Sequence, residues 1–193
     1  MGDRKGKDRA QKEKKYAGQA LIVSAILTVV LFAILTFLNH YLKNPVAEQG
    51  VISFELEQEI DNSLAIISSW DGREKMITAF SLGIDYLFLV AYALFFALSC
   101  YFSANKIKER HPALYRVGLV VSAAQILAGL LDAVENYGLL RLLLGSRNEA
   151  FAKLAFYSAS FKFGFIFTGI LYICIVLIWI APYRRRASHS RNR

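Results

Sequence analysis

Ionisable side chains stand inside three of the four long apolar stretches of this chain. The third stretch carries Asp132, Glu135 and Asn136, the second carries Asp85, and the fourth carries Lys162. An ionisable group at the centre of a bilayer costs at least ~2.5–3.5 kcal/mol on insertion scales, so such residues face a bundle interior, pair with one another or serve a function. These five residues are therefore the core of a candidate site.

The positions of these charges predict that they can meet. A helix rises 1.5 Å per residue, which puts Asp85, Asp132, Glu135 and Lys162 each ~13–17 Å from the outer end of its helix. Three carboxylates and one ammonium in a poorly hydrated space cannot all stay ionised. Burial and mutual repulsion are therefore expected to raise the pKa of at least one carboxyl. A carboxyl with a raised pKa can exchange protons near neutral pH or act as a general acid. The set could also bind a cation.

Small and polar residues recur in the same helices at alternating steps of four and three residues. In the third stretch this seam includes Gln125, and in the second it includes Tyr92. The spacing keeps the seam on one face of a left-handed bundle, where polar groups turn away from lipid. We therefore predict a ligand-binding set consisting of Asp85, Tyr92, Gln125, Asp132, Glu135, Asn136 and Lys162.

The elements that must position these residues are four apolar runs in a chain of 193 residues, 55% of them hydrophobic. Each is long enough for the ~20 residues that cross a bilayer core. Between the first two runs, apolar residues from Leu56 to Trp70 repeat at helical spacing. We predict an all-α fold, a four-helix transmembrane bundle with a short amphipathic extracytoplasmic helix. Residues 16–182 form the membrane domain, with spans at about 16–42, 76–104, 113–144 and 150–182 and the amphipathic segment at about 53–70.

The amphipathic segment is expected to lie on the outer membrane surface or over the mouth of the bundle. Trp70 would then be an interfacial anchor. Asp71 and Gly72 are expected to end the segment. Glu55, which precedes the repeating apolar residues, could cap the segment or reach into the bundle mouth, and both possibilities stay open.

Lysine and arginine predict the orientation of the chain. The tail at 1–15 holds seven basic and three acidic residues, the tail at 183–193 is also basic, and the connector at 44–74 holds seven acidic residues and one basic residue. Since cytoplasmic loops are rich in Lys and Arg, both termini are predicted to be cytoplasmic, as in a protein of the cell inner membrane. The expected partners are the lipid bilayer and anionic headgroups at the basic tails.

The net charge of +8 does not indicate nucleic-acid binding, because the basic residues flank membrane helices and lack interleaved aromatics. Cys100 and Cys174 are expected to be small packing residues. No Cys/His spacing predicts a metal site, and no cofactor is predicted.

Three functions are compatible with the polar cluster. The leading one is an outward-facing pocket that binds a cation or an amphipathic, amine-bearing ligand. The second is a lipid-modifying enzyme with Asp132 or Glu135 as acid/base, although no nucleophile elbow, metal spacing or phosphate loop indicates one. The third is an accessory or assembly subunit in which Lys162 and a carboxylate lock the helices together.

Three groups of residues resemble a family of small four-span membrane proteins of uncharacterised activity. They are Ile52–Leu56 with Ile67–Trp70, Gly83–Phe88 with Tyr92–Ala93, and Leu131–Asn136, which contains an Asp-x-x-Glu-Asn element. The resemblance implies the four-span fold and no activity. In architecture the chain is also similar to the sterol-isomerase-like family, whose intramembrane acidic residues surround a lipid ligand. No motif accompanies that likeness, which is one of fold alone.

Overall fold

The computed structural model describes the backbone of residues 2–191 and the side chains of residues 11–13 and 15–179. All regular structure in that part of the chain is helical, which confirms the all-α prediction. The side chains of the basic tails, 1–10 and 180–193, lie outside the described residues, and with them the predicted lipid contacts. The helices are α1 (Gly2–His40), α2 (Val51–Glu55), α3 (Ile60–Ser69), α4 (Gly72–Ile107), α5 (Pro112–Leu143) and α6 (Glu149–Arg191).

Four of these helices are long and apolar enough to cross a membrane, so the protein is an integral membrane protein. The spanning parts are Gln11–His40, Gly72–Ile107, Pro112–Leu143 and Glu149–Trp179. The first leaves most of its aliphatic side chains exposed, as expected of a helix surrounded by lipid.

The bundle is built on α4, α5 and α6, and α1 packs mainly against α4. Small residues allow the close approach of the helices. A Cβ atom on Gly129 would lie 2.9 Å from the Cβ of Ala93 on α4, and one on Gly138 would lie 2.9 Å from the carbonyl oxygen of Phe151 on α6. The seam predicted from the spacing of small and polar residues is therefore the packed face of α5.

The connector between α1 and α4 covers the end of the bundle. The predicted amphipathic segment is divided into α2 and α3 by an irregular stretch at 56–59, where the Glu57 carboxylate accepts a hydrogen bond from the Glu59 amide at 3.0 Å. Leu56, placed on the apolar face by its spacing, is exposed. Of the two predicted locations, the connector takes the one over the bundle mouth.

The prediction that Trp70 is an interfacial anchor is wrong, because its side chain is only 1% exposed. Its indole N–H donates to the Leu42 carbonyl at 2.9 Å, and its ring packs edge-on against Phe54 at 5.8 Å. A buried Trp needs a partner for its N–H, and the turn that follows α1 supplies one. Directly after it, Asp71 and Glu74 form a reciprocal capping box that starts α4.

Candidate functional site

The short helix α2 is fixed over the bundle by Asn39, near the end of α1. The side-chain Oδ1 of Asn39 accepts a hydrogen bond from the Val51 backbone amide at 2.8 Å, and the side-chain NH₂ donates to the Gln49 carbonyl at 3.0 Å. Gly50 between them has φ 65°, a left-handed conformation that a glycine adopts without strain. This turn directs α2 so that Glu55, its last residue, lies beside the polar cluster.

An ion pair between α5 and α6 forms the centre of the cluster. The Lys162 Nζ lies 2.8 Å from Asp132 Oδ1 and 2.7 Å from Glu135 Oε2. The three side chains are 7%, 2% and 0% exposed. One ammonium thus holds two carboxylates that are one helical turn apart on α5, a buried arrangement that requires close pairing of the charges.

Two side chains of α4 complete the contacts to α5. The Tyr92 hydroxyl donates to Asp132 Oδ2 at 2.8 Å. The Asn136 NH₂ donates to Asp85 Oδ2 at 2.6 Å. Asp85 therefore has a neutral partner, whereas Asp132 has both the ammonium and a hydroxyl.

Glu55 is a member of the cluster that sequence reasoning did not assign. Its carboxyl lies within hydrogen-bonding range of the Glu135 carboxyl. Although Glu55 keeps some accessible surface, protein atoms surround its carboxyl, and this burial raises its pKa; the Lys162 charge opposes the rise and the Asp132 charge adds to it. The acidic residue at the end of a short apolar segment was visible in the sequence, but the turn that aims it inward was not.

Glu135 is the most enclosed of the carboxyl groups. Its side chain is fully buried, and Oε1 has no hydrogen-bond partner. Oε2 lies within ion-pair distance of Lys162 but does not have hydrogen-bond geometry with it. A buried carboxyl oxygen without a hydrogen bond is costly. The neighbouring Glu55 carboxyl could supply that hydrogen bond if one of the two groups were protonated.

A cavity of about 180 Å³ adjoins the cluster. Its ionisable lining consists of Glu55, Asp85, Tyr92, Asp132 and Lys162. Its apolar walls include Phe32 and Leu35 of α1 and Phe163 and Ile166 of α6. Phe32 and Phe163 are 60% and 42% exposed, so the walls continue onto the surface of the molecule.

The predicted site residues fall into three groups. Asp85, Tyr92, Asp132 and Lys162 line the cavity, and Glu135 and Asn136 contact those lining residues. Gln125 lies apart, because it is seven residues from Asp132, about 10 Å along α5. Its amide donates to the Phe165 carbonyl at 2.8 Å and lies against Gly169. It joins α5 to α6 and does not line the cavity, and its membership of the ligand-binding set stays a prediction.

Chemically, the cluster places four carboxyl groups around one ammonium. It can hold a proton between carboxyls or accept a further positive charge. Among the side chains that the structure describes, no three His, Cys, Asp or Glu residues are arranged to ligate one metal ion. Comparison with protein-family models, with curated proteins and with solved structures finds no match for this chain, and its resemblance to a four-span family stays a prediction.

Proposed function

We propose that this membrane protein binds the cationic head group of an amphipathic ligand in the cavity beside Asp85. The observation that carries the proposal is a charge imbalance. Among the described residues, Lys162 is the only Lys or Arg that lines the cavity, and its ammonium already contacts Asp132 and Glu135. Glu55 and Asp85 line the same space and share that one ammonium as their nearest positive charge, so an added positive charge is favoured there.

The size of the cavity favours a head group over a whole ligand. Sites that enclose a drug-sized molecule measure ~300–1,000 Å³, and this cavity is smaller, at about 180 Å³. The remainder of the ligand would lie against Phe32 and Phe163, which are exposed on the membrane-facing surface. An aromatic wall also suits an ammonium group, and the Lys162 Nζ already lies 4.8 Å from the centre of the Phe163 ring.

The orientation is part of the proposal. The acidic connector that covers the cavity would be extracytoplasmic and both termini cytoplasmic, following the distribution of Lys and Arg. The cavity would then open in the outer half of the membrane, and Phe32, about 12 Å along α1 from His40, would form part of its apolar wall.

A structural lock is the second candidate, and the buried ion pair favours it. A lock requires direct contact of Lys162 with a carboxylate, and both Asp132 and Glu135 make such a contact. The two candidate functions depend on different residues, because the lock requires Lys162 and the pocket requires Asp85. Asp132 or Glu135 as acid/base of a lipid-modifying enzyme stays a prediction without an observation that favours it.

Binding of dodecylammonium to the protein in nanodiscs of zwitterionic lipid tests the proposal. We expect saturable binding of dodecylammonium and none of dodecanoate, which has the same chain length and the opposite charge. Asp85→Asn should weaken binding about tenfold or more, because it removes a charge of the site, and tenfold corresponds to ~1.4 kcal/mol. The new amide oxygen can still accept the hydrogen bond from Asn136.

The matched control is Asp61→Asn, an exposed position on α3. Equal affinity in the wild type, Asp85→Asn and Asp61→Asn would refute the pocket and leave the lock.

A further inference from the structure

Two buried carboxyl groups from different elements meet at the covered end of the bundle. Glu55 comes from α2 in the connector, and Glu135 comes from α5. Their carboxyl groups are within hydrogen-bonding range of each other. Glu135 Oε1 is fully buried and has no donor among the described residues.

The described groups around the Glu55–Glu135 pair do not donate a hydrogen bond to Glu135 Oε1. From α4, Asp85 is a further carboxyl group, and the Tyr92 hydroxyl is directed to Asp132. From α5, Asp132 adds a negative charge. From α6, the Lys162 ammonium lies 2.7 Å from Glu135 Oε2. On the α1 side, Thr36 and Asn39 line the cavity as neutral groups, and the Asn39 amide is committed to the α2 turn.

Two carboxylates in contact at such a place cannot both be ionised at low cost, because like charges a few ångströms apart repel strongly. A single proton removes the repulsion. It also turns one carboxyl into a donor for the oxygen of the other, so that one of the unpartnered Glu135 oxygens gains a hydrogen bond. The Glu55 carboxyl is the one nearer to solvent, since Glu55 keeps accessible surface and lines the cavity.

We propose that Glu55 and Glu135 hold one exchangeable proton between their carboxyl groups, and that a cationic head group entering the cavity displaces it. The balance is one positive charge in and one proton out. The proton leaves Glu55 for water on the outer side, and the bound ammonium then compensates the two carboxylates. The exchange rests on the proposed ligand-binding function, whereas the shared proton does not.

Infrared spectroscopy tests the shared proton without any ligand. We expect the C=O stretch of a protonated carboxylic acid in the wild type at neutral pH, and its loss in Glu55→Gln. The control Asp61→Asn should retain the band. A band that persists in Glu55→Gln, or that is missing from the wild type, overturns the shared proton.

Glu55→Gln is suited to this test because its amide NH₂ can donate to the Glu135 carboxylate in place of the proton. The variant should therefore fold with α2 in place. Glu55→Ala removes both the proton and the donor and serves as the comparison for loss of the contact. If the amide variant is as unstable as the alanine variant, no hydrogen bond joins the two carboxyls and the inference fails.

Proton release on addition of dodecylammonium, measured in a weakly buffered nanodisc solution with an indicator dye, tests the exchange. We expect about one proton released per probe bound by the wild type near neutral pH and none by Glu55→Gln. Binding without release in the wild type overturns the exchange while the infrared band still decides the shared proton. Absence of binding refutes the proposed function and the exchange together.

Discussion

Removal of the Lys162 ammonium should be the most destabilising single change in the bundle. Lys162→Met keeps a long apolar side chain but leaves Asp132 and Glu135, 2% and 0% exposed, without the ammonium that lies 2.8 and 2.7 Å from them. Breaking a buried ion pair from one side costs ~3–5 kcal/mol, because the remaining charge is buried and uncompensated. At ~2–4 °C per kcal/mol for a chain of this size, we expect the unfolding midpoint to fall by roughly 6–20 °C.

The unfolding midpoint can be measured with a thiol-reactive dye, because Cys100 is fully buried and becomes reactive only on unfolding. Cys174 is exposed and is replaced by Ser in all variants. The matched control is Lys153→Met on the same helix. Its ion pair with Glu149 has the same 2.8 Å length but is about half exposed, so its loss should have little effect.

The refuting result is a midpoint for Lys162→Met no lower than that for Lys153→Met. Further replacement of Asp132 by Asn and Glu135 by Gln, in the Lys162→Met background, should restore most of the lost stability, because the two side chains that lost their ammonium are then neutral. Failure of that restoration would show that the cost came from packing and not from charge.

Three further predictions concern pH, packing and topology. The raised pKa of Glu55 means that the folded protein binds more protons than the unfolded chain, so stability should fall as pH rises from the ordinary Glu value through the raised one. Thermal midpoints of Glu55→Gln should lack that fall, and equal pH profiles would contradict it. Gly138→Ala should lower the thermal midpoint, because the added Cβ meets a backbone carbonyl of α6. Gly164→Ala, which has open space around the added Cβ, should leave the midpoint unchanged or raise it. The opposite order of the two midpoints would contradict this packing. In a cysteine-free background, an impermeant maleimide should label Asp61→Cys on intact cells and Lys106→Cys only after lysis, and the reverse would overturn the orientation.

The sequence was sufficient for the helices and for most of the cluster. Apolar length identified the four spanning segments, and the cost of burying charge directed Asp85, Asp132 and Lys162 inward. It did not identify which carboxylate pairs with Lys162. The structure gives Lys162 to Asp132 and Glu135, and pairs Asp85 with Asn136.

Three positions depend on geometry that the sequence pattern does not contain. Gln125 shares a face with Asp132, but a shared face gives no position along the helix axis, and Gln125 lies two turns away. Trp70 is an amphipathic residue of the kind that anchors a helix at the membrane interface, yet its burial depends on the Leu42 carbonyl in the turn after α1, which spacing cannot place. Glu55 depends on the turn at Gly50, a conformation fixed by its contact with Asn39.

A photoreactive alkylammonium tests the central claim most directly, by mapping where the bound probe lies. If a cationic head group occupies the cavity, labelling should fall on α1 near Phe32 and on α6 near Phe163, the exposed walls of the cavity. The labelling should be competed by dodecylammonium and lost in Asp85→Asn. Labelling of Phe167, which is also exposed on α6 but is not part of the cavity, at an equal level and without competition would contradict the account.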